Sequence, residues 1–204
     1  MSRYDTEGAE SRFQPGSNNL VLENFLGITE PAEMDDAELQ LLLKLYEQVL
    51  PQIPVDSSIT LSDIMEWHRQ WLGNIYPWAG KPRNVEISKG GFLFASTAHF
   101  SKLFNDLELK HLAKLTPCNR MTRDELVQAI AELHVEFILI HPFREGNGRI
   151  ARFLADVMAH QGGVGRLDYT AWNENKEDYI KCIHAGLDLN YAPMAQLVRQ
   201  AAGL

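Results

Sequence analysis

The sequence lacks the features that mark several large protein classes: long apolar runs, clusters of basic residues and closely spaced cysteines. No apolar run approaches the ~18 residues that a membrane-spanning helix requires, and the N-terminus lacks the basic and apolar regions of a signal peptide. We therefore expect no membrane partner and a cytoplasmic location. Export by a signal of another kind stays open.

Cysteine and positive charge are both scarce. Cys118 and Cys182 are the only cysteines, and their spacing is not that of a metal or redox site, so we expect both thiols to be inert. The chain has 19 Lys and Arg against 27 Asp and Glu, a formal net charge of -8, and no basic stripe interleaved with aromatic residues. We therefore expect no nucleic-acid partner, and any phosphate must be bound by a local site within an acidic surface.

The length of 204 residues and a hydrophobic content of 45% suit one well-buried core. Residues 1–19 are polar and show no period, which predicts a polar N-terminal arm. Residues 20–204 are predicted to form a single domain. Apolar residues at helical spacing, such as Leu39, Leu43 and Tyr46 in the first segment, predict a mainly α fold. The predicted helices cover about 33–50, 60–73, 97–115, 123–140, 148–160 and 171–186, with a last helix after residue 193.

One region of different character interrupts the helical patterns. Val85 and Ile87 alternate with polar residues before Gly90-Gly91, and Phe92 and Phe94 alternate after the glycine pair. Period-two alternation on both sides of a turn predicts a β-hairpin. We expect this hairpin to be the only strand pair of the protein.

The most informative stretch is HPFREGNGRIAR, residues 141–152. Read as a loop followed by a helix, it places glycines 146 and 148 around the first turn, where free main-chain N–H groups form an anion site. Arg149 and Arg152 are three residues apart and project from one helix face, so both can reach a polyphosphate. The stretch therefore predicts a phosphate-binding cradle.

Three other side chains of the stretch complete the interpretation. Glu145 would repel phosphate unless a cation such as Mg²⁺ lay between them, which makes it a candidate metal ligand. His141 is the one side chain that can take a proton at neutral pH without unusual tuning. Phe143 is expected to anchor the loop in the core. Together these residues indicate phosphoryl or nucleotidyl transfer; the alternative is a solvated loop before a capped helix.

The stretch resembles, at every position, the signature of Fic-domain proteins, H-x-F-x-(D/E)-G-N-G-R-x-x-R. The segments HRQWLGNIYPWAGKPRNVEISKGGF and LHVEFILI also resemble the hairpin region and the helix before the motif in that family. The resemblance implies a mainly α fold, a Fic-type helical bundle with one β-hairpin flap. It also implies transfer of AMP from ATP, with Mg²⁺, to a Ser, Thr or Tyr hydroxyl of a target protein, with release of pyrophosphate.

The resemblance assigns a role to each matching position. It makes His141 the general base, Glu145 the Mg²⁺ ligand and Arg152 the γ-phosphate contact. The remaining cradle positions are the anion hole and the first arginine: Gly146, Asn147, Gly148 and Arg149. The hairpin becomes a flap that registers the target by strand pairing. The candidate flap residues are Val85, Glu86, Ile87, Ser88, Lys89, Gly90 and Gly91. The alternative is a hairpin that only covers the core.

Regulation is not settled by the resemblance. Many Fic proteins are inhibited by a helix bearing (S/T)-x-x-x-E-(G/N), whose glutamate pairs with the second motif arginine. Residues 170–175 match this pattern, with Glu174 as the glutamate. We expect the match to be a coincidence, with Thr170 or Asn173 acting as a helix cap. Ser2 and Glu7-Gly8 resemble the same pattern with one residue too many. Three forms of control stay open: a separate antitoxin-like protein, no inhibitor, or the N-terminal arm.

Two other functions stay open beside AMP transfer. A Fic-fold enzyme can act as a kinase or transfer another nucleotide moiety, and the cradle can serve a non-catalytic nucleotide-binding module. Of the other histidines, His134 is expected to be a core residue rather than a metal ligand. His68, with Trp67 and Trp71, is expected to pack in the core rather than bind a nucleotide base.

Overall fold

Helices make up most of the described chain, which in this computed structural model comprises Asp5–Glu7 and residues 12–204. The prediction of a mainly α fold with a β-hairpin is confirmed. Two compact units share the chain: the first comprises the described residues up to 52, with 62–100 and 142–147, and the second comprises 53–61, 101–141 and 148–204. None of the described helices is long and apolar enough to cross a membrane.

The helices of the early part of the chain are α1 (Pro31–Gln48) and α2 (Leu61–Leu72). Proline at the start of α1 suits the first turn, where its missing N–H has no intrahelical partner. The buried residues of α1 are Met34, Glu38 and Leu45, whereas Leu39 and Leu43 are exposed. The buried Glu38 carboxylate accepts a hydrogen bond of 2.7 Å from the Tyr76 hydroxyl.

A small antiparallel sheet also belongs to the first unit, and its strands are β1 (Asp5–Glu7), β2 (Glu86–Lys89) and β3 (Phe92–Leu93), in the order β1-β2-β3. β2 and β3 form the predicted hairpin, with Ser88 opposite Leu93. Gly90 and Gly91 both have positive φ, as a type I′ turn requires.

The expectation of a single strand pair is wrong, because β1 adds a third strand on the other edge of β2. The register places Asp5 opposite Ser88, Thr6 opposite Ile87 and Glu7 opposite Glu86. The sequence around β1 has no alternating pattern, so main-chain pairing with β2 rather than local propensity accounts for this strand.

The remaining α-helices follow in chain order: α3 (Phe100–Asp106), α4 (Ala113–Leu115), α5 (Arg123–Ile140), α6 (Asn147–Gln161), α7 (Thr170–Glu174), α8 (Lys176–Ala185) and α9 (Ala192–Ala201). A π-helical stretch, Leu107–Leu112, joins α3 to α4. α5 packs against α8 and α9 within the second unit. The predicted capping box is present: the Thr122 hydroxyl accepts from the Glu125 N–H, and the Glu125 carboxylate accepts from the Thr122 N–H.

One predicted helix, over about 171–186, is two helices in the structure. The break between α7 and α8 is at Asn175, whose φ of -112° and ψ of 55° lie outside the helical region. Asparagine favours such breaks because its side chain can bond to nearby main-chain groups, and here Nδ2 donates to the Ala171 carbonyl.

Candidate active site

His141 ends α5 in a left-handed conformation, with φ of 52° and ψ of 62°. Its main-chain N–H donates to the Phe137 carbonyl, and its ring Nδ1 is 2.9 Å from the Ile138 carbonyl oxygen. Because a carbonyl only accepts, Nδ1 carries the proton of the neutral ring and the lone pair lies on Nε2. His141 as a whole is 4% exposed. This tautomer is the one that a general base acting through Nε2 requires.

Asn147 closes the loop that follows His141. Its side-chain oxygen accepts from the Phe143 N–H at 2.8 Å, and its side-chain nitrogen donates to the Phe143 carbonyl at 2.7 Å. Asn147 is fully buried. The side chain is therefore a clamp within the loop, and what Asn147 can offer to an anion is its main-chain N–H.

Phe143 anchors this loop, as the sequence predicts. It is fully buried, and its ring stacks on His68 with a centroid distance of 3.7 Å and an interplanar angle of 5°. His68 Nδ1 accepts from the Gly80 N–H at 2.8 Å, so the proton of the neutral ring is on Nε2. His68 Nε2 then donates to the Glu145 carbonyl at 3.0 Å. The histidine that the sequence assigns to core packing therefore also fixes the main chain of Glu145.

The two glycines of the motif have different surroundings. Gly146 has φ of 84°, and a Cβ there would lie 2.7 Å from a ring atom of Trp71. A Cβ on Gly148 would meet nothing within 4 Å. Gly146 thus lets the loop lie against the Trp71 ring, whereas Gly148 leaves open space beside the first turn of α6. That space adjoins main-chain N–H groups without intrahelical partners, as an anion site requires.

Glu145 is 6% exposed, and its Oε1 accepts from the Gly146 N–H at 2.9 Å. Among the described residues, no group of three or more His, Cys, Asp or Glu side chains could hold a metal ion. Mg²⁺ is commonly held by one or two carboxylates together with substrate phosphates and water. The donor set around Glu145 therefore fits a magnesium ion that a nucleotide shares, rather than an ion held by protein groups alone.

Arg149 and Arg152 lie on α6, and both are partly buried. The Arg152 guanidinium donates to the Asn173 side-chain oxygen at 2.9 Å and lies over the Tyr169 ring, 5.0 Å from its centroid. The Tyr169 hydroxyl donates to the Arg152 carbonyl at 3.0 Å. Contacts from α7 and the residue before it therefore orient Arg152.

The segment that matches the inhibitory pattern is the same α7. The expectation that Thr170 or Asn173 caps a helix is wrong: the Thr170 N–H and hydroxyl both donate to Asp168, and the Asn173 side chain accepts from Arg152. Asn173 is thus the member of this segment that bonds to the second motif arginine. The second, imperfect match to the inhibitory pattern includes Ser2 and Gly8, which lie outside the described residues.

The predicted flap residues form the hairpin and its turn, and Val85, Ile87 and Phe94 make a buried apolar cluster. Arg83, which the sequence does not single out, holds the base of this hairpin. Its buried guanidinium donates to the Val85 carbonyl at 2.6 Å and to the Ala95 carbonyl at 2.5 Å. Its main-chain N–H donates to the Pro142 carbonyl at 2.8 Å. Arg83 therefore ties both sides of the flap to the motif loop.

His134 is a buried residue of α5 with both ring nitrogens hydrogen-bonded. Nδ1 lies 3.4 Å from the Ala151 carbonyl, and Nε2 lies 2.9 Å from the Tyr179 hydroxyl. Burial, with a smaller contribution from the positive charge of Arg152, lowers the pKa of His134 to about 3. The ring is therefore neutral at physiological pH and packs against Trp172.

Comparisons with known proteins point to one family. A family model described as "Fic/DOC family" matches residues 58–159. A probable protein adenylyltransferase, y4lH of Sinorhizobium fredii, is 28% identical over 91% of this chain and 92% of its own length. The probable protein adenylyltransferase Fic of Salmonella typhimurium is 28% identical over 80% of this chain and 78% of its own. The chain spans only 30% of the protein adenylyltransferase VbhT of Bartonella schoenbuchensis, to which it is 28% identical.

Solved structures show the same fold. The BepC protein of Bartonella tribocorum, solved with bound AMPPNP, superposes with a TM-score of 0.74 at 19% identity, over 94% of this chain and 96% of that chain. A Fic-domain signalling protein of Bacteroides thetaiotaomicron superposes with a TM-score of 0.64 at 21% identity, over 86% of this chain and 69% of that chain.

Proposed function

The chain belongs to the Fic/DOC family, and from this premise we propose that it is a protein adenylyltransferase. It transfers AMP from ATP to a Ser, Thr or Tyr hydroxyl of a target protein, or of itself, and releases pyrophosphate. The observation that carries the proposal is the state of His141 in an intact motif: Nδ1–H donates to the Ile138 carbonyl, which leaves Nε2 as the proton acceptor. The relatives named as adenylyltransferases support the same activity.

In the reaction, Nε2 of His141 takes the proton of the target hydroxyl. The hydroxyl oxygen forms a bond to the α-phosphorus of ATP while the bond from that phosphorus to the bridging oxygen breaks, and pyrophosphate leaves with the electron pair. The target then carries AMP through a phosphodiester that joins the ribose to the Ser, Thr or Tyr oxygen. The positioned imidazole contributes as a general base, whose effect on rate is typically about 10²–10⁴-fold.

The motif also supplies groups that stabilise the negative charge of the phosphates. Main-chain N–H groups of Asn147 and Gly148, with the guanidinium groups of Arg149 and Arg152, are positive groups that need little reorganisation during the reaction. Glu145 would hold Mg²⁺, which neutralises charge on the α- and β-phosphates when bound. His68 and Asn147 fix the loop main chain, so they hold these donors in place without touching the substrate.

We also assign to the flap the binding of the target. Main-chain groups of Val85–Gly91 would pair with an extended target segment next to the hydroxyl that is modified. Arg83 and the buried cluster beneath the hairpin support this assignment, because they give the strand a fixed position. ATP, the proposed substrate, is abundant in the cytoplasm, and we propose that location for the protein.

The proposal is tested by intact-mass analysis of the protein and of lysate proteins after incubation with ATP and Mg²⁺. We expect an increase by the mass of AMP, which His141→Ala abolishes. His160→Ala, at the other end of α6, is the matched control and should retain the activity. Modification by His141→Ala at the parent rate would contradict the assignment of the base.

Labelled ATP separates the alternatives. An adenylyltransferase transfers the α label and releases the γ label, whereas a kinase transfers the γ label alone. A non-catalytic module would bind ATP in calorimetry and transfer neither label. Transfer of the γ label, or tight binding without turnover, would therefore replace the proposed function.

A further inference from the structure

We propose that the strand β1 occupies the flap edge on which a target docks, so that the chain's own N-terminal segment and the target compete for the same main-chain groups. This inference rests on the proposed function for the meaning of the competition, but not for the strand pairing itself. It selects the N-terminal segment among the forms of control that the sequence leaves open.

The first step is the register of the sheet. β1 pairs antiparallel with β2 over three positions, which place Asp5, Thr6 and Glu7 opposite Ser88, Ile87 and Glu86. These β2 residues lie within the segment that we assign to target docking. The other edge of β2 is paired with β3. Both edges of β2 are therefore in use, and an incoming strand has to displace one of its two neighbours.

The second step is which neighbour leaves. β3 is joined to β2 by the Gly90-Gly91 turn, and the buried guanidinium of Arg83 bonds to carbonyls on both sides of the hairpin. β1 has three residues. A strand pair of this length is marginally stable by itself in water. The edge held by β1 is therefore the one that an extended target segment can open.

The third step is the size of the effect. A protein whose binding-competent form is only fractionally populated binds its ligand more weakly in proportion to that fraction. Cross-strand pairs of an antiparallel ladder contribute modestly, and three of them correspond to a change in apparent target affinity of between about threefold and about a hundredfold. The pairing thus weakens the binding of a target without abolishing it, so a competing segment lowers the activity rather than preventing it.

The test of the pairing does not depend on catalysis. The Ile87 carbonyl accepts from the Phe94 N–H, so the main-chain groups of Ile87 face β3 and those of Glu86 and Ser88 face β1. In the full chain, Glu7→Pro removes the main-chain N–H opposite Glu86 and restricts φ, and so disfavours the ladder, whereas Glu7→Val retains the N–H and favours strands. Hydrogen exchange of the Glu86 and Ser88 amides should speed up in Glu7→Pro and stay at the parent rate in Glu7→Val. A labelled synthetic peptide, MSRYDTEGAES, should bind Glu7→Pro more tightly than the parent.

The test of the competition uses transfer of the α label from ATP to lysate proteins at limiting lysate concentration. Glu7→Pro, and a second variant that lacks residues 1–11, should label about threefold to about a hundredfold faster than the parent, with the KM for ATP unchanged. Equal exchange and equal peptide binding in all forms would overturn the pairing, and equal labelling rates with altered exchange would overturn the competition. Absence of α-label transfer by every form would instead contradict the proposed function.

Discussion

Gly146 and Gly148 flank Asn147 in the motif, but they should respond in opposite ways to substitution by alanine. Gly146 has φ of 84°, and a Cβ there would lie 2.7 Å and 3.0 Å from two ring atoms of Trp71 and 3.4 Å from His68 Nε2. Trp71 and His68 are fully buried, so neither ring can swing into solvent. Gly148 has no atom within 4 Å of the corresponding position.

The expected magnitude for Gly146→Ala has two parts. The left-handed conformation costs a residue with a Cβ roughly 1–2 kcal/mol. Forcing a methyl group against a packed ring costs typically about 1–3 kcal/mol. We therefore expect Gly146→Ala to lower the free energy of unfolding by about 2–5 kcal/mol. Gly148→Ala should leave it unchanged or raise it by up to about 1 kcal/mol, because alanine is favoured over glycine within a helix.

Urea denaturation followed by tryptophan fluorescence measures both changes. A shift of the unfolding midpoint counts as a change in stability when the slope of free energy against urea is the same in the parent and the variant. A smaller loss of stability, with the activity lost, would mean that the loop has moved away from Trp71 to make room. Equal stability of the two variants, or a loss for Gly148→Ala alone, would refute the packing of Gly146 against Trp71.

Three further predictions concern groups around the motif. Asn173→Ala removes an acceptor that orients Arg152, so calorimetry should show ATP affinity reduced by about 2- to 10-fold and ADP affinity nearly unchanged; equal losses would contradict a γ-phosphate role for Arg152. Burial lowers the pKa of His134 from 6.5 to about 3, so between those values the unfolded chain binds the proton and the folded chain does not. As the pH is lowered from about 6.5 toward 3, the free energy of unfolding should therefore decrease by up to about 1.4 kcal/mol per pH unit. His134→Gln should show a shallower pH dependence in urea titrations. Burial raises the pKa of the Cys118 thiol to about 12, so a thiol reagent at pH 8 should modify Cys118 only after denaturation, as peptide mass analysis would show.

Local signals explain what the sequence predicted well. The bounds of α5 follow from the capping box at Thr122–Glu125 and from its apolar pattern, and the hairpin turn follows from the paired glycines. The motif predicted the loop, the start of α6 near Gly148 and the anchoring of Phe143, because these features arise within one short stretch.

Contacts between distant parts of the sequence explain what it missed. The strand β1 exists through pairing with β2. The His68 ring donates a hydrogen bond to the main-chain carbonyl of Glu145. Glu38 is buried while Leu39 beside it is exposed, and the Glu38 carboxylate accepts from the hydroxyl of Tyr76. In each case the deciding partner lies far away in the sequence, so periodicity and propensity carry no trace of it.

The short strand on the outer edge of the hairpin also bears on how the protein should be purified. An uncovered strand edge is a template for pairing with a second molecule, and β1 covers that edge of β2. Trimming of that segment uncovers the β2 edge and should favour aggregation at high concentration. A tag placed after α9, whose last residue is Ala201, leaves the strand in place.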